Sequence, residues 1–589
     1  MSDDYDVLIK NGTIVDGTGA PAFRGSVAVE GERIAAVGKE GDLSGAETVI
    51  DARGHIVSPG FIDVHNHGDM TIIYYPEAEG FVRQGITTFV GGNCGSGPAP
   101  LGDFVALGMA ISDICNDLNP DMYYPERFLP RDAVNERHRE AYGWEVDWRT
   151  MGEFFKKLEE RGGTSPNYAP LVGHHPVRYM AMGKDFKRHA TEDEVEEMRS
   201  HVKQAMKDGC LGMSVGRDYE PSYWANLDEL VALASVVSEY GGVYTCHSLR
   251  TGLRKARRPG EFPPVKVNGI LEAIDVGRKA KVSVQLSHLG TLHDVIPADD
   301  PDLAEAAARA TLKVVDDALE EGIDVGFDQI PHNRGFGTMS NNWLAASLLP
   351  WLNVTGTREQ LAKALRMREF REEIKATIWS GKYYGLNPNI NANWARGKLV
   401  MESSDLRFVD KNIAQIAEEL GVDPLDALMD VLMIDPDAKT GSRGMDSPTK
   451  GMFYRHPVSM VGIDTLAVDI NYESKYPPWS KPSENSFGGF ASYFKTAVRE
   501  SKTLSIEEAV LKVTSRSAKK FHLKDRGVLK PGAYADIVVM DIDRVTPKAT
   551  ALNPCVYPEG IEHVFVNGVQ VVRNQGHTRK RPGKTLVRG

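Results

Sequence analysis

The chain predicts an α/β protein, a (β/α)8 TIM-type barrel carrying a small β-sandwich domain built from both termini. Two β-rich ends flank a long middle in which short apolar runs alternate with helical patterns. Six residues of metal-ligand type, His65, His67, Cys94, His247, His288 and Asp464, stand at or near the ends of those runs. In such barrels the functional face is the one where the strands end.

The first part of the β domain spans residues 1–59. It alternates as strands do in Val7-Leu8-Ile9-Lys10 and Ser26-Val27-Ala28-Val29, with Asn-Gly and Gly-Glu turns between. The barrel is expected over 60–520, with strands near 61–65, 86–93, 168–173, 211–215, 242–247, 283–288, 324–328 and 459–464. Insertions are expected near 97–150, rich in Pro, Tyr and Trp, and near 331–455. The second contains an amphipathic helix from Asn412 to Leu420, stopped by Gly421. Loops of that length on the functional face build lids or specificity walls. Residues 521–589 complete the β domain through Ala535-Asp536-Ile537-Val538-Val539-Met540, His563-Val564-Phe565-Val566 and Val569-Gln570-Val571-Val572.

Composition narrows the function classes. With 41% apolar and 25% charged residues the chain reads as globular, and no run of 18 apolar residues could span a membrane. The acidic start Met1-Ser2-Asp3-Asp4 is unlike a secretory signal. Five scattered cysteines, an odd number, argue against a disulfide framework and for a cytoplasmic setting. A net charge of −12 disfavours nucleic acid as a partner.

The ligand-type residues carry the chemistry. His65 and His67 form an H-x-H pair in Pro59-Gly60-Phe61-Ile62-Asp63-Val64-His65-Asn66-His67. On a strand such a pair places both imidazoles on one face, where they chelate. Cys94 follows a strand in a glycine-flanked Asn93-Cys94-Gly95, and its thiolate is a good bridge between two zinc ions. His247 and His288 end the fifth and sixth runs, and Asp464 ends the eighth. Cys246 should point to the opposite face from His247 and be structural, and Asp328 reads as a wall or supporting group. His174, after the third run, is expected to face the pocket as a hydrogen-bond donor, where it or a second metal would stabilise an oxyanion.

With these residues in place, the chain resembles the N-acyl-D-amino-acid deacylase (D-aminoacylase) branch of the amidohydrolase superfamily. The resemblance runs nearly end to end. It includes the opening Asp6-to-Gly19 segment, Asn93-Cys94-Gly95, Gly212-Met213-Ser214-Val215-Gly216, and the closing Asp525-to-Asp536 segment. It implies a metal-dependent hydrolase of a small molecule with an amide-type bond, using one or two Zn2+ ions. His65 and His67 would hold one metal and His247 and His288 the other. Cys94 would bridge them, and Asp464 would be both ligand and catalytic acid/base. A homo-oligomer is compatible with the resemblance.

The departures concern substrate. The branch typically fixes a free carboxylate with a Lys two residues after the strand-6 His, a Tyr in D-x-Y-P-Y, and an Arg in H-P-R. Here the first position is Gly290, the second motif reads Asp328-Gln329-Ile330-Pro331-His332, and Lys481-Pro482-Ser483-Glu484-Asn485-Ser486 contains no H-P-R. Losing such partners costs roughly several kcal/mol of anion binding. Arg217, Arg250 and His332 are therefore the candidate substrate-binding residues. The alternative is a substrate without that carboxylate: a neutral or cyclic amide, a carbamate or a lactone.

Overall fold

The computed structural model describes residues 5–106, 128–249, 265–291, 300–331, 339–340, 342–380, 386, 394–441, 449–472 and 481–588. Eight parallel strands follow one another in sheet order: Phe61–Asp63, Ile86–Gly91, Asn167–Gly173, Gly212–Gly216, Val243–His247, Ser283–Leu286, Val325–Gln329 and Ser459–Val461. They are barrel strands 1 to 8. Their residues are almost all buried between helices outside and side chains inside, even where they carry Gln285 or Asp328. The helices begin at strong caps. Thr191 and Glu194 form a capping box for Glu192–Lys207, and Asp300 caps Pro301–Glu320 with proline at the first turn.

No ladder joins strand 8 to strand 1; the seam is closed by irregular backbone beyond both strands. The Asp464 N–H donates to the His65 carbonyl at 2.8 Å, and the His67 N–H to that of Thr465 at 2.8 Å. This approach needs a glycine: a Cβ on Gly462 would stand 2.3 Å from the His65 Cβ.

Inside the barrel Ile62, Val90, Ala169, Leu171, Leu211, Val243 and Met460 form one apolar cluster, which Phe521 and Leu523 join. Leu586 of the C-terminal tail packs on it, its N–H bonded to the Tyr168 carbonyl at 2.7 Å. The far end of the barrel is thus plugged, and the polar interior lies at the strand C-termini.

Both termini build a second unit, hydrogen-bonded as one mixed nine-stranded sheet. Its two halves join where Ile56–Pro59 pairs antiparallel with Ile537–Met540. Its core gathers Val7, Ile9, Val27 and Val29 with Ile537, Val539 and Phe565. The long segment between strands 7 and 8 has a core of its own, from Leu344 to Ala438. Within it the helix Ile413–Leu420 is capped by Asn412 and ends at a left-handed Gly421 (φ 66°). No described helix is long and apolar enough to cross a membrane.

Candidate active site

All six ligand-type residues meet at the strand C-termini. The Cys94 Sγ lies 3.3 Å from His65 Nε2, 3.6 Å from His247 Nδ1 and 3.7 Å from His288 Nε2. The Asp464 Oδ1 lies 3.1 Å from His67 Nε2 and 3.5 Å from His65 Nε2. Two compact donor groups result, His65/Cys94/His288 and His65/His67/Asp464, with His65 common to both.

Those spacings fit a metal. Ligands tetrahedrally placed at 2.0–2.3 Å from zinc stand about 3.3–3.8 Å from one another, and the separations found, 3.1–3.7 Å, lie within or just below that span. The electrostatics agree. Burial alone would raise the Cys94 thiol, but His65, His247 and His288 around it hold it well below its usual range. Burial would likewise raise Asp464, and His65, His67 and His288 hold it low. Burial would lower His67, yet Asp464 and Cys94 push it up to about 10. Anions balanced only by imidazole protons are what a divalent cation displaces those protons to bind.

The backbone is bent to bring these groups together. Cys94, His288 and Asp464 all have left-handed φ, at 52°, 36° and 49°. Strain of this kind persists where surroundings over-determine it. The Gly95 N–H bonds Ser214 Oγ at 2.9 Å, and a Cβ on Gly216 would stand 2.1 Å from the Cys94 carbonyl oxygen.

The H-x-H pair meets by a route other than strand alternation. Ile62 points into the barrel and Phe61 outward onto Phe490 and Phe494. On an unbroken strand His65 would share the outward side of Phe61. Instead the strand stops at Asp63, whose carboxylate accepts from the His65 N–H (3.1 Å), Asn66 Nδ2 (2.5 Å) and the Ile463 N–H (3.1 Å). That turn swings His65 inward and sets the two rings edge to face, 5.7 Å apart.

A second set of carboxylates backs the histidines. Asp328 Oδ1 accepts from the His288 N–H at 2.7 Å and lies 3.2 Å from His65 Nδ1, while Oδ2 accepts from Gln285 Nε2 at 3.1 Å. Asp218 Oδ2 lies 3.2 Å from His247 Nε2. Cys246, on the outer side of strand 5, is a buried thiol pushed up to about 12 by that burial.

Other expected groups lie elsewhere. His174 opens the helix His174–Met182 and is fully buried, with Nδ1 2.7 Å from Ser222 Oγ and Nε2 2.9 Å from Glu229 Oε1. Both ring nitrogens are engaged in this helix-layer network, so the oxyanion role expected for it is withdrawn. Arg217 is equally committed. Its Nε and Nη2 grip Glu272 at 2.7 and 3.2 Å, and Nη1 donates to the Ser222 carbonyl, which leaves no fork for a substrate carboxylate. Arg250 and His332 lie outside the described residues. Asp63, Asp218 and Tyr219 were not singled out by sequence reasoning. Tyr219 packs its ring 4.7 Å from that of His247, and a tyrosine three residues beyond a strand end was the available signal.

A model of the amidohydrolase family matches residues 410–572. Over its whole length the chain is 30% identical to the N-acyl-D-glutamate deacylase of Alcaligenes xylosoxydans xylosoxydans, covering 98% of it. It is 27% identical to the D-aminoacylase of the same organism, again covering 98%. The crystal structure of D-aminoacylase aligns with a TM-score of 0.67 at 27% identity, over 99% of this chain and 100% of that one. The N-acyl-D-glutamate deacylase of Bordetella bronchiseptica, solved with zinc and a phosphonate mimic of the tetrahedral intermediate, gives the same values. On this full-length likeness the chain belongs to the amidohydrolase family, hydrolases of carbon–nitrogen bonds, and is related to N-acyl-D-amino-acid deacylases.

Proposed function

We propose that the protein is a zinc-dependent deacylase that cleaves the amide bond of an N-acyl-D-amino acid or a close analogue. The convergence of imidazole, thiolate and carboxylate donors at metal-ligand spacing carries this reading. One or two zinc ions held by His65, His67, Cys94, His247, His288 and Asp464 would acidify a water and polarise the amide carbonyl. Asp464 accepts the proton of the attacking water and returns it to the leaving nitrogen, because an amine departs only when protonated. The Tyr219 phenol, packed on His247, takes the oxyanion role that His174 cannot fill.

A second reading keeps the chemistry and changes the substrate to a neutral or cyclic amide, a carbamate or a lactone. One observation favours it: Arg217, which could have paired with a substrate carboxylate, is bound to Glu272. The test is amine release by zinc-loaded protein from N-acetyl-D- and N-acetyl-L-amino acids, beside their carboxamides and cyclic amides. D-selective release from the free acids supports the deacylase. Release from the uncharged compounds alone supports the second reading. The Asp464→Asn variant should lose about a thousandfold in kcat, and near-normal turnover in metal-replete Asp464→Asn would sink that residue's role.

A further inference from the structure

The geometry points to Asp218 as the positioning residue that decides which nitrogen of His247 faces the metal centre. The inference rests on the reading of His247 as a metal ligand and adds a residue to it.

A neutral imidazole carries one N–H and one lone pair, and only the lone pair can bind a metal. His247 ends strand 5 with Nδ1 3.6 Å from the Cys94 Sγ and Nε2 3.2 Å from Asp218 Oδ2. An ionised carboxylate only accepts, so Asp218 places the proton on Nε2 and leaves the Nδ1 lone pair toward Cys94. With the carboxylate removed, both tautomers and a flipped ring become accessible.

The carboxylate is itself held. Arg217, Asp218 and Tyr219 form the turn after strand 4, and each touches His247 differently. The Arg217 N–H donates to the His247 carbonyl at 2.9 Å, Asp218 meets the far ring nitrogen, and the Tyr219 ring lies against the imidazole. The Arg217 guanidinium ties this turn to Glu272 on the helix Val265–Ala280, which follows strand 5. Arg217 and Asp218 are each 5% exposed. The role first expected of Arg217, binding substrate, is thereby replaced by bracing the turn that holds a ligand. His65 is backed in a parallel way by Asp328 at 3.2 Å, so two of the ligand-type histidines have a carboxylate behind the ring.

The test compares wild type with Asp218→Ala, Asp218→Leu, Asp218→Asn and His247→Ala. Zinc per chain is measured after dialysis, zinc affinity by chelator competition, and the visible spectrum with Co2+ as a probe. Asp218→Ala and the bulkier Asp218→Leu should each weaken the tightness of one zinc by about 10–100-fold and alter the Co2+ spectrum. Asp218→Asn, whose amide oxygen still accepts from Nε2–H, should stay within about threefold of wild type. Wild-type zinc affinity and Co2+ spectrum in whichever of the Ala and Leu variants folds, while His247→Ala loses a zinc, would overturn the role of Asp218 alone. Undiminished zinc binding in His247→Ala would overturn the ligand reading beneath it.

Discussion

At the catalytic end of the barrel the two ligand-type anions lie beside cations: Cys94 and Asp464 stand 3.1–3.7 Å from imidazole nitrogens. At the far end Lys512 donates to neutral acceptors, the His456 carbonyl and Ser459 Oγ, both at 2.9 Å. Burial pushes Lys512 down to about 7 and Lys520, next to Asp324, down to about 8. The same low-dielectric interior therefore has opposite results. Where donors of both signs converge, ionised forms are kept and a cation is welcome. Where a base is buried with little opposing charge, its charged form is disfavoured. Only the first arrangement can do metal chemistry.

The largest effect should come from the residue that both donor groups share. His65→Ala removes a nitrogen from each group, so it should leave less than one tightly bound zinc per chain and abolish turnover. Cys94→Ala leaves every member of the group His65, His67 and Asp464 in place and should retain a metal there. Zinc counted per chain by plasma mass spectrometry separates the two. Equal metal loss in both variants would mean the centre is one indivisible site.

How much of this could be read beforehand depends on how local each contact is. The ligand residues were legible because each follows an apolar run, and the interior alternation of Val243 and His247 on strand 5 survives in the structure. The H-x-H pair was legible for a different reason from the true one. Its geometry comes from the Asp63 turn, which joins strand 1 to Ile463, 400 positions away. His174 was misplaced because the chain turns helical there, and a period near 3.6 replaces the strand period of 2 that would have aimed it. The fate of Arg217 depends on Glu272, 55 residues on, which no local pattern reveals. The sheet shared by both termini was legible from the β character of each end, whereas the pairing of Ile56–Pro59 with Ile537–Met540 was not.

The far end makes its own prediction, in pH. Lys512 titrates near 10.5 when unfolded and at about 7 when folded, so between those values the unfolded chain binds more protons. Stability should therefore rise with pH from about 7 to about 10.5, by a few kcal/mol in all, since one proton bound only by the unfolded chain is worth roughly 1.4 kcal/mol for each pH unit. In Lys512→Met the part of that slope due to Lys512 should vanish, leaving the smaller share of Lys520. Urea denaturation of the zinc-loaded protein at several pH values measures it. An unchanged slope would show that the ammonium keeps its charge in place.

The smallest effect is expected at the plug. Leu586 is only partly buried on the cluster of Ile62, Ala169, Leu171 and Phe521, and its N–H bond to Tyr168 survives any side-chain change. Full Leu→Ala truncation in a core costs about 2–5 kcal/mol, so this half-buried site should lose about 1 kcal/mol. Thermal melting would show it as a lowered Tm. The zinc count and kcat/KM should not move, because strand interiors packed with Leu171 and Val243 separate the plug from the metal face. A Leu586→Ala protein with altered kcat/KM would show instead that the two ends are mechanically coupled through the strands. The opposition between a charged face and an apolar base would then be one of chemistry but not of mechanics.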